Sequence, residues 1–232
     1  MALVKYGGGV VQMSGSVGGD TFARNRFGNY VRARTKPINP NSAGQQAVRA
    51  ALTLLTQVWA STLTAAQRTA WNLYGSNVAM KNRLGEVVHL TGFNHFIRSN
   101  NVLARFGGTP IAAGPVIFEL PEKDPTLSLV ASEAGQQISI SWDNGLPWAD
   151  EDGAFIYFYQ GQPQNTQRNF FDGPWRYLGG ISGINGAPVA PPAPFVPKWA
   201  IAEGQRQWIY ARIFRADGRL SEVFRADCFC GA

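Results

Sequence analysis

Cysteine and histidine are scarce in this chain, which holds two of each in 232 residues. Cys228 and Cys230 are separated by one residue, so on a strand they would point the same way with Cα atoms about 6.5 to 7 Å apart, near the limit for a disulfide. We therefore expect free thiols in a reducing compartment. His89 and His95 lie far from both cysteines in the sequence, and this spacing does not favour a zinc site.

Long apolar runs and catalytic motifs are also lacking. No segment reaches the roughly 20 apolar residues of a membrane span, and the first residues do not resemble a secretion signal. The glycine-rich run GGGVVQMSGSVGGD is not followed by the Lys-Ser/Thr pair of a phosphate-binding loop. The acidic triplet at 150–152 precedes Gly153 and is typical of a solvated turn. We expect no cofactor, no metal and no enzymatic activity.

Charge is distributed unevenly along the chain. Residues 1–106 hold 12 Lys and Arg against 2 Asp and Glu, whereas residues 107–232 hold 9 against 13. The first part is therefore +10 and the second −4, in agreement with the net charge of +6. This asymmetry predicts that the two parts meet different surroundings, with phosphate or an acidic protein surface near the basic part.

Residues 1–36 read as an extended, glycine-rich, basic arm, because so much glycine opposes a helix. Gly18-Gly19 and Gly28-Asn29 are both suited to hairpin turns. The arm also carries apolar side chains that a segment of this length cannot bury by itself, namely Phe22, Phe27, Tyr30 and Val31. It therefore needs a partner.

Residues 37–108 are predicted to form a helical domain with a small β-hairpin. Ser42, Thr64 and Thr91 are candidate caps of three helices, and Gln67 completes a capping box. Leu84-Gly85 is the predicted hairpin turn, and the third helix is predicted to run to Phe106 and end at Gly107-Gly108. The side chains predicted to face inward are Val48, Ala51, Leu52, Leu55, Val58, Trp59, Trp71, Leu73 and Tyr74.

The remainder of the chain is predicted to be β. Residues 109–125 contain four prolines and read as an extended linker. Residues 126–232 hold six or seven alternating or aromatic segments, the size of an antiparallel sandwich of the immunoglobulin or fibronectin type III kind. A hairpin is expected about Asp217-Gly218, and the proline-rich stretch 183–204 is expected to be a surface loop. The fold class is thus α+β: an extended arm, a small helical domain and a β-sandwich.

The arginines of the arm are the most informative candidates for a site. Four of them fall at even spacing, so on one strand they would lie along one side; with the interleaved aromatic residues the candidate interface is Phe22, Arg24, Arg26, Phe27, Tyr30, Arg32 and Arg34. Arginine with aromatic residues is typical of protein interfaces. The same composition suits contacts to phosphates with bases stacked on the rings. No helix or sheet platform of a nucleic-acid module is apparent, which favours protein.

The first half of the chain resembles an uncharacterised family of tailed bacteriophages and prophages. The resemblance spans residues 12–106 and rests on a glycine-rich start, a basic stretch, an Asn-Pro pair, a Leu-Thr-x-x-Gln-Arg-x-x-Trp run and a later TGFNHFIRSN. Here these are Gly15 to Gly19, Arg24 to Arg34, Asn39-Pro40, Gln45, Arg49, Trp59, Leu63, Thr64, Gln67, Arg68 and Trp71, then Thr91, Gly92, Asn94, Phe96 and Asn100. The resemblance implies a virion-associated structural role without an assigned chemistry.

These observations lead to one expectation and two alternatives. We expect a non-enzymatic phage structural protein that is assembled in the host cytoplasm and binds neighbouring virion subunits through its arm, on the capsid exterior or at the neck. A tail protein, or a nucleic-acid-binding virion protein acting through the arm, is the alternative. The partners of the expected structural protein would be capsid, connector or tail subunits and further copies of the same chain. A wall-degrading or sugar-binding part is a third possibility, with the loops of Trp148, Trp175 and Trp199 as its place.

Overall fold

The computed structural model describes residues 2–82, 84–105 and 108–232 and shows an α+β fold. Residues 2–33 fold into an antiparallel sheet, which we name the arm sheet. Its strands are β1 (Ala2–Val4), β2 (Gly15–Val17), β3 (Asp20–Asn25) and β4 (Gly28–Ala33), in the spatial order β1-β4-β3-β2. The predicted arm is thus extended, as expected, and its strands pair with one another.

The two predicted turns of the arm have different outcomes. Gly18 and Gly19 connect β2 to β3, and Gly18 has a φ of +57°. The turn between β3 and β4 lies at Arg26 and Phe27, so the predicted turn at Gly28-Asn29 is wrong by two residues. The reason is local: the side chain of Asn25 accepts a 2.9 Å hydrogen bond from the Phe27 backbone N–H, and Gly28 then opens β4 opposite Asn25.

Three helices and a short hairpin follow. They are α1 (Ala43–Gln57), a π-helical turn (Val58–Thr62), α2 (Ala65–Asn77), β5 (Ala79–Lys81), β6 (Val87–His89) and α3 (Gly92–Arg105). The predicted caps are confirmed: Ser42 and Thr64 accept hydrogen bonds from the backbone of Gln45 and Gln67, and Thr91 from that of Asn94. The predicted helix end at Phe106 and Gly107 lies outside the described residues.

The helical core includes Leu55, Leu63, Trp71, Tyr74, Val78 and Phe96. Three residues predicted to face inward are instead exposed: Val48 by 42 %, Leu52 by 47 % and Leu73 by 53 %. Leu73 is two residues after Trp71 and hence about 200° around the helix from it, so both cannot face one core. In α1, only Ala51 and Leu55 are buried, and the residues of its first two turns are exposed or partly exposed.

The β domain contains seven strands: β7 (Ser128–Ser132), β8 (Gln137–Ser141), β9 (Phe155–Gly161), β10 (Trp175–Ser182), β11 (Ala193–Phe195), β12 (Arg206–Phe214) and β13 (Phe224–Gly231). They are ordered β10-β9-β12-β13-β7-β8-β11. Strand β13 pairs with β12 over residues 224–229 and with β7 at Cys230 and Gly231. It thereby joins the strands β10, β9 and β12 to the strands β7, β8 and β11, and side chains from both groups form one core. Their core includes Leu129, Ile138, Ile140, Trp142, Ile156, Phe158, Ile209 and Ile213.

Two details of the predicted β domain require correction. The pairing of β13 with β7 is parallel, so the domain is not wholly antiparallel. Strand β11 lies within the stretch that was predicted to be a loop; it is an edge strand, where a proline such as Pro194 can be accommodated. The predicted turn at Asp217-Gly218 is present, and Gly218 has a φ of +91°.

The helices and the β domain share a core, because the outer face of β9 and β12 packs against α3. Val102 lies among Tyr157, Tyr159, Phe214 and Leu220. The guanidinium of Arg98 donates to the carbonyl oxygens of Leu220 and Ser221, both at 2.6 Å. Burial lowers the pKa of Arg98 to about 10, which leaves it protonated at neutral pH. This charged side chain therefore ties α3 to the turn before β13.

The segment predicted to be a linker is irregular but held against the helices. Residues 108–127 contain no helix or strand. The Asn100 side chain accepts a 2.6 Å hydrogen bond from Ile111 N, and Trp71 Nε1 donates to Ala112 O at 3.0 Å. A Cβ on Gly114 would lie 2.6 Å from Trp71 N, so the backbone approaches α2 closely there. The segment therefore positions the β domain on the helices.

Candidate interaction surface

The residues from 2 to 50, which we name the N-terminal segment, contain no buried side chain. It comprises the arm sheet, an extended stretch, and the first turns of α1; the first buried residue along the chain is Ala51. All three clusters of buried apolar residues lie beyond it. A four-stranded sheet normally gains its stability by packing one face against other apolar groups. This one offers both faces and both edges to its surroundings.

The candidate arginines do not lie along one side of a strand, so that prediction is wrong. Arg24 pairs across the sheet with Asn29, and Arg32 pairs with Thr21. Because Asn25 faces Gly28, even-numbered residues of β3 share a face with odd-numbered residues of β4. Arg24 and Arg32 therefore project from opposite faces. Their side chains give each face of the sheet a positive charge.

The other two arginines occupy the ends of strands. Arg26 lies in the turn between β3 and β4, and Arg34 follows β4, with its backbone N–H donating to Gly19 O at 2.7 Å. The four guanidinium groups are thus distributed over two faces and two ends. This arrangement surrounds the arm sheet with positive charge instead of forming one stripe.

The candidate aromatic residues are also divided between the two faces. Phe22 pairs with Val31 on one face, whereas Tyr30 lies opposite Ala23 and Leu3 on the other. Phe27 lies in the turn. All three rings are partly exposed. That these side chains need a partner stays a prediction; the described residues leave them partly exposed.

One end of the arm sheet rests on the β5–β6 hairpin. Phe27 and Leu3 approach Met80, Val88 and Leu90 across an apolar cavity of about 510 Å³, which also borders Asn25, Lys81 and Asn82. A second cavity of about 300 Å³ also borders Phe27 and Leu3. Both cavities open to solvent, so the arm sheet meets the hairpin along a groove at the surface and not within a closed core.

An ion pair accompanies this contact. The ammonium of Lys5 binds the carboxylate of Glu86, and hydrogen bonding to Lys5 holds the pKa of Glu86 below its ordinary value. Both side chains are largely exposed, and pairs of this kind contribute little stability. Sequence reasoning missed this contact because residues 81 positions apart carry no local signal of contact.

The charge of the protein is concentrated in the N-terminal segment. It holds seven Lys and Arg residues and one Asp, which makes it +6. Residues 51–232 hold 14 basic and 14 acidic residues and are neutral overall. The sequence division at residue 106 obscured this result, because it counted the five basic residues between positions 51 and 106 together with those of the arm. The whole net charge of the chain thus belongs to the segment that lacks a core.

The other candidates of the sequence analysis lie in ordinary structural positions. Trp148 is buried in the β-domain core, so it is not an exposed sugar platform. Trp175 begins β10 and packs edge-on against Tyr210, and Trp199 lies beneath the guanidinium of Arg176 at 4.5 Å. The carboxylates of Asp150 and Asp152 accept hydrogen bonds from the backbone of residues 185 and 186. They hold a loop, in agreement with the turn interpretation.

Histidine and cysteine likewise form no reactive group. His89 is exposed and its Nδ1 lies 3.1 Å from Val78 O, whereas His95 is buried beside Tyr74. Cys228 and Cys230 are free thiols on β13. Burial raises the pKa of Cys228 to about 11 and that of Cys230 above its ordinary value, so both stay protonated and unreactive at neutral pH.

Neither a scan against protein-family models nor a search of curated proteins finds a match for this chain. Across residues 2–82, 84–105 and 108–232, no three His, Cys, Asp or Glu side chains are grouped so that they could hold a metal ion. The same ranges contain no helix with the length and apolar character of a membrane span.

Proposed function

We propose that this protein is a structural subunit of a phage virion, without enzymatic activity, and that its N-terminal segment binds neighbouring subunits. The observation that carries the proposal is the absence of any buried side chain from residue 2 to residue 50. A segment of that length loses conformational entropy when it is ordered, and burial elsewhere must offset this cost. Contact with a neighbour supplies that burial.

The chemistry of the segment fits such a contact. Partly exposed Phe22, Tyr30 and Val31 provide apolar area, and the arginines around them provide hydrogen-bond donors for carboxylates and carbonyl oxygens. The outer strands β1 and β2 each offer an edge to which a strand of another chain can add. Residues 51–232, which we name the body, contain the three clusters of buried apolar residues and can be presented outward.

The resemblance of residues 12–106 to a family of tailed phages supports the setting of this proposal. Within a virion, the capsid exterior or the neck is the preferred place, and the tail is the alternative. A subunit there requires a stable body and a device that attaches it, and the division of this chain into a neutral body and a basic segment provides both.

Removal of the arm tests the proposal. A chain that starts at residue 37 keeps Ser42, the cap of α1, and all three buried clusters. We expect it to fold and to remain soluble but to be lost from purified particles of the encoding virus, as quantified by mass spectrometry. A matched control replaces the exposed Leu73 of α2 with serine and should be incorporated normally. Normal incorporation of the shortened chain would show that the arm is not the attachment.

Nucleic acid is a second candidate partner, favoured by the confinement of the whole net charge to the N-terminal segment. Its distinguishing property is salt dependence, because each neutralised phosphate releases counterions. Retention of the full chain on DNA should then fall steeply as salt is raised, and the chain from residue 37 should not be retained. If the full chain is not retained at low salt, this candidate is removed and the protein partner stands.

A further inference from the structure

We infer that the neighbour bound by the arm sheet is a second copy of this chain, and that the arm sheet is exchanged between copies, each resting on the β5–β6 hairpin of the next. This inference rests on the proposed function and specifies its partner. The docking surface is defined by Met80, Val88 and Leu90 with Glu86 at its margin. In a single chain the same surface receives the arm sheet of its own copy.

The first argument is that the receiving surface is already complementary to the arm sheet. Leu3 and Phe27 face its apolar residues, and Lys5 pairs with Glu86. Every copy carries the same hairpin and the same arm sheet, so the contact can form between chains without any new chemistry. Exchange of an identical element is a low-cost route to association for this reason.

The second argument is that the arm sheet is connected by a stretch that can serve as a hinge. All residues from 32 to 44 are exposed. The two ends of this stretch are held: Arg34 N donates to Gly19 O at 2.7 Å, and Arg49 donates to Asn39 Oδ1 at 2.8 Å. Among the described residues, 35–38 make no hydrogen bond, so a change of direction there breaks none.

The hinge also sets a geometric requirement. Four extended residues span about 13 Å, since each adds about 3.3 Å. Asn39 and Asn41 both accept from Arg49, which fixes the chain against the start of α1. The chain that supplies the arm sheet therefore sets a distance limit. The β5–β6 hairpin of the second copy must lie about as far from α1 of that chain as that chain's own hairpin does. Only a close association of the two bodies meets this condition.

The third argument is that the surface beside the hinge is apolar and uncovered. Ile38 is 89 % exposed, and Val48 and Leu52 lie one turn apart on the free part of α1. Two copies that exchange arms come together at their hinges, so these residues meet the other copy. The apolar ridge of α1, which none of the described residues covers, thereby gains a partner.

The fourth argument is that the contact within one chain is weak. No side chain of the N-terminal segment is buried, and cavities of about 510 and 300 Å³ border Phe27. Release of the arm sheet from its own hairpin therefore breaks little packing. The balance between the two states is set by protein concentration, because only the exchanged state is favoured by association.

Isotope-resolved cross-linking tests the inference on the unaltered chain. Equal amounts of ¹⁴N and ¹⁵N protein are mixed in urea and refolded together at high concentration. A zero-length carbodiimide then couples the Lys5 amine to the Glu86 carboxylate, which are in direct contact. Exchange predicts that up to about half of the coupled peptide pairs join one light and one heavy chain, the statistical limit for random partners. The same sample refolded at high dilution should give pairs of a single isotope.

The chain contains its own control for this experiment. Lys123 and Glu222 form an ion pair at 2.7 Å within the body, and exchange of the arm does not separate them. Their coupled pairs must carry one isotope at every concentration, and the variant Glu86→Gln must lose the first pair only. Pairs of Lys5 and Glu86 that carry a single isotope at high concentration would overturn the exchange. The virion proposal is tested separately, by incorporation of the chain that starts at residue 37.

Discussion

The arm sheet and the sheet of the β domain are built from similar strands, but only the second has apolar groups packed against its faces. In the β domain, the inner side of β9 contributes Ile156 and Phe158 to one core, and its outer side contributes Tyr157 and Tyr159 to another. In the arm sheet, both faces of β3 and β4 are partly exposed. Backbone pairing is common to both sheets, so burial is what distinguishes them.

The contrast between the two sheets shows where stability and association arise in this chain. Hydrogen bonds between strands replace hydrogen bonds to water and contribute little net free energy, whereas removal of apolar area from water is the dominant favourable term. The body therefore folds by its own packing, and the N-terminal segment keeps its apolar and charged groups for another surface. Charge follows the same division, with +6 on the segment and no net charge on residues 51–232.

The largest effect that should separate the two regions is the loss of Trp71. This ring is fully buried, contacts Tyr74 and Phe96, and donates to Ala112 O at 3.0 Å. Trp71→Ala should lower the free energy of unfolding by about 3 to 5 kcal/mol, the range for large cavities in cores. Urea unfolding followed by circular dichroism measures the change.

Trp199 provides the matched control for this prediction. It is half-buried on an irregular stretch beneath Arg176, so Trp199→Ala removes the same ring without opening a core cavity. We expect a cost of about 1 kcal/mol or less, the scale of an exposed contact between a cation and an aromatic ring. Equal costs for the two variants would show that burial of Trp71 in the helical core does not contribute more stability than the half-buried contact of Trp199.

A smaller effect, that of pH on the free energy of unfolding, should arise from His95 in the body. His95 is buried beside Tyr74, neither of its ring nitrogens has a partner among the described residues, and burial, with the charge of Arg98, lowers its pKa to about 4. The unfolded chain has the ordinary pKa near 6.5, so it binds more protons than the folded chain between these values. Stability is therefore full above pH 6.5 and falls, by on the order of 2 kcal/mol, as the pH drops towards 4.

The comparison of two histidine variants isolates this effect. His95→Gln should flatten the dependence of the unfolding midpoint on pH between 6.5 and 4, whatever its effect on stability itself. His89→Gln changes an exposed ring and should leave the dependence unchanged. An identical slope in the wild type and in His95→Gln would contradict the assignment to this residue.

The predictions from sequence succeeded where the signal is local. The caps at Ser42, Thr64 and Thr91 depend on side chains that bond to the backbone three residues away, and all three are present. The turn at Asp217-Gly218 depends on a glycine with positive φ, and it is also present. The α+β class followed from the same local patterns of glycine, helix caps and alternating residues.

The errors arose where the answer depends on what lies opposite. The helical periodicity of α1 placed Val48 and Leu52 inward, but nothing in the described chain covers that part of the helix. The even spacing of the arginines predicted one side of a single strand, but the turn at Arg26 and Phe27 divides them between two paired strands, so Arg24 and Arg32 lie on opposite faces. The contact of the arm sheet with the β5–β6 hairpin joins distant residues, which no local pattern reveals.

The smallest effect is expected from the arm, and it provides the sharpest test of the comparison. Phe22 lies on β3 opposite Val31 and is partly exposed, so Phe22→Ala leaves no closed cavity and should change the free energy of unfolding by less than about 1 kcal/mol. In the dilute monomer, the backbone amides of β3 should open at a cost of about 0 to 2 kcal/mol, near the lower end of the range, whereas those of β9 approach the global value.

Hydrogen exchange measured by mass spectrometry on the monomer and on the concentrated, self-associated protein tests this difference. Association should slow the exchange of β3 and leave that of β9 unchanged, because only the first sheet gains a neighbour. Phe27→Ala should then weaken association while the body remains stable, because Phe27 faces the apolar residues of the β5–β6 hairpin that receives the arm sheet. Protection of β3 in the dilute monomer as strong as that of β9 would mean that the arm sheet is stable without a partner, and the contrast between the two regions would no longer explain how this chain assembles.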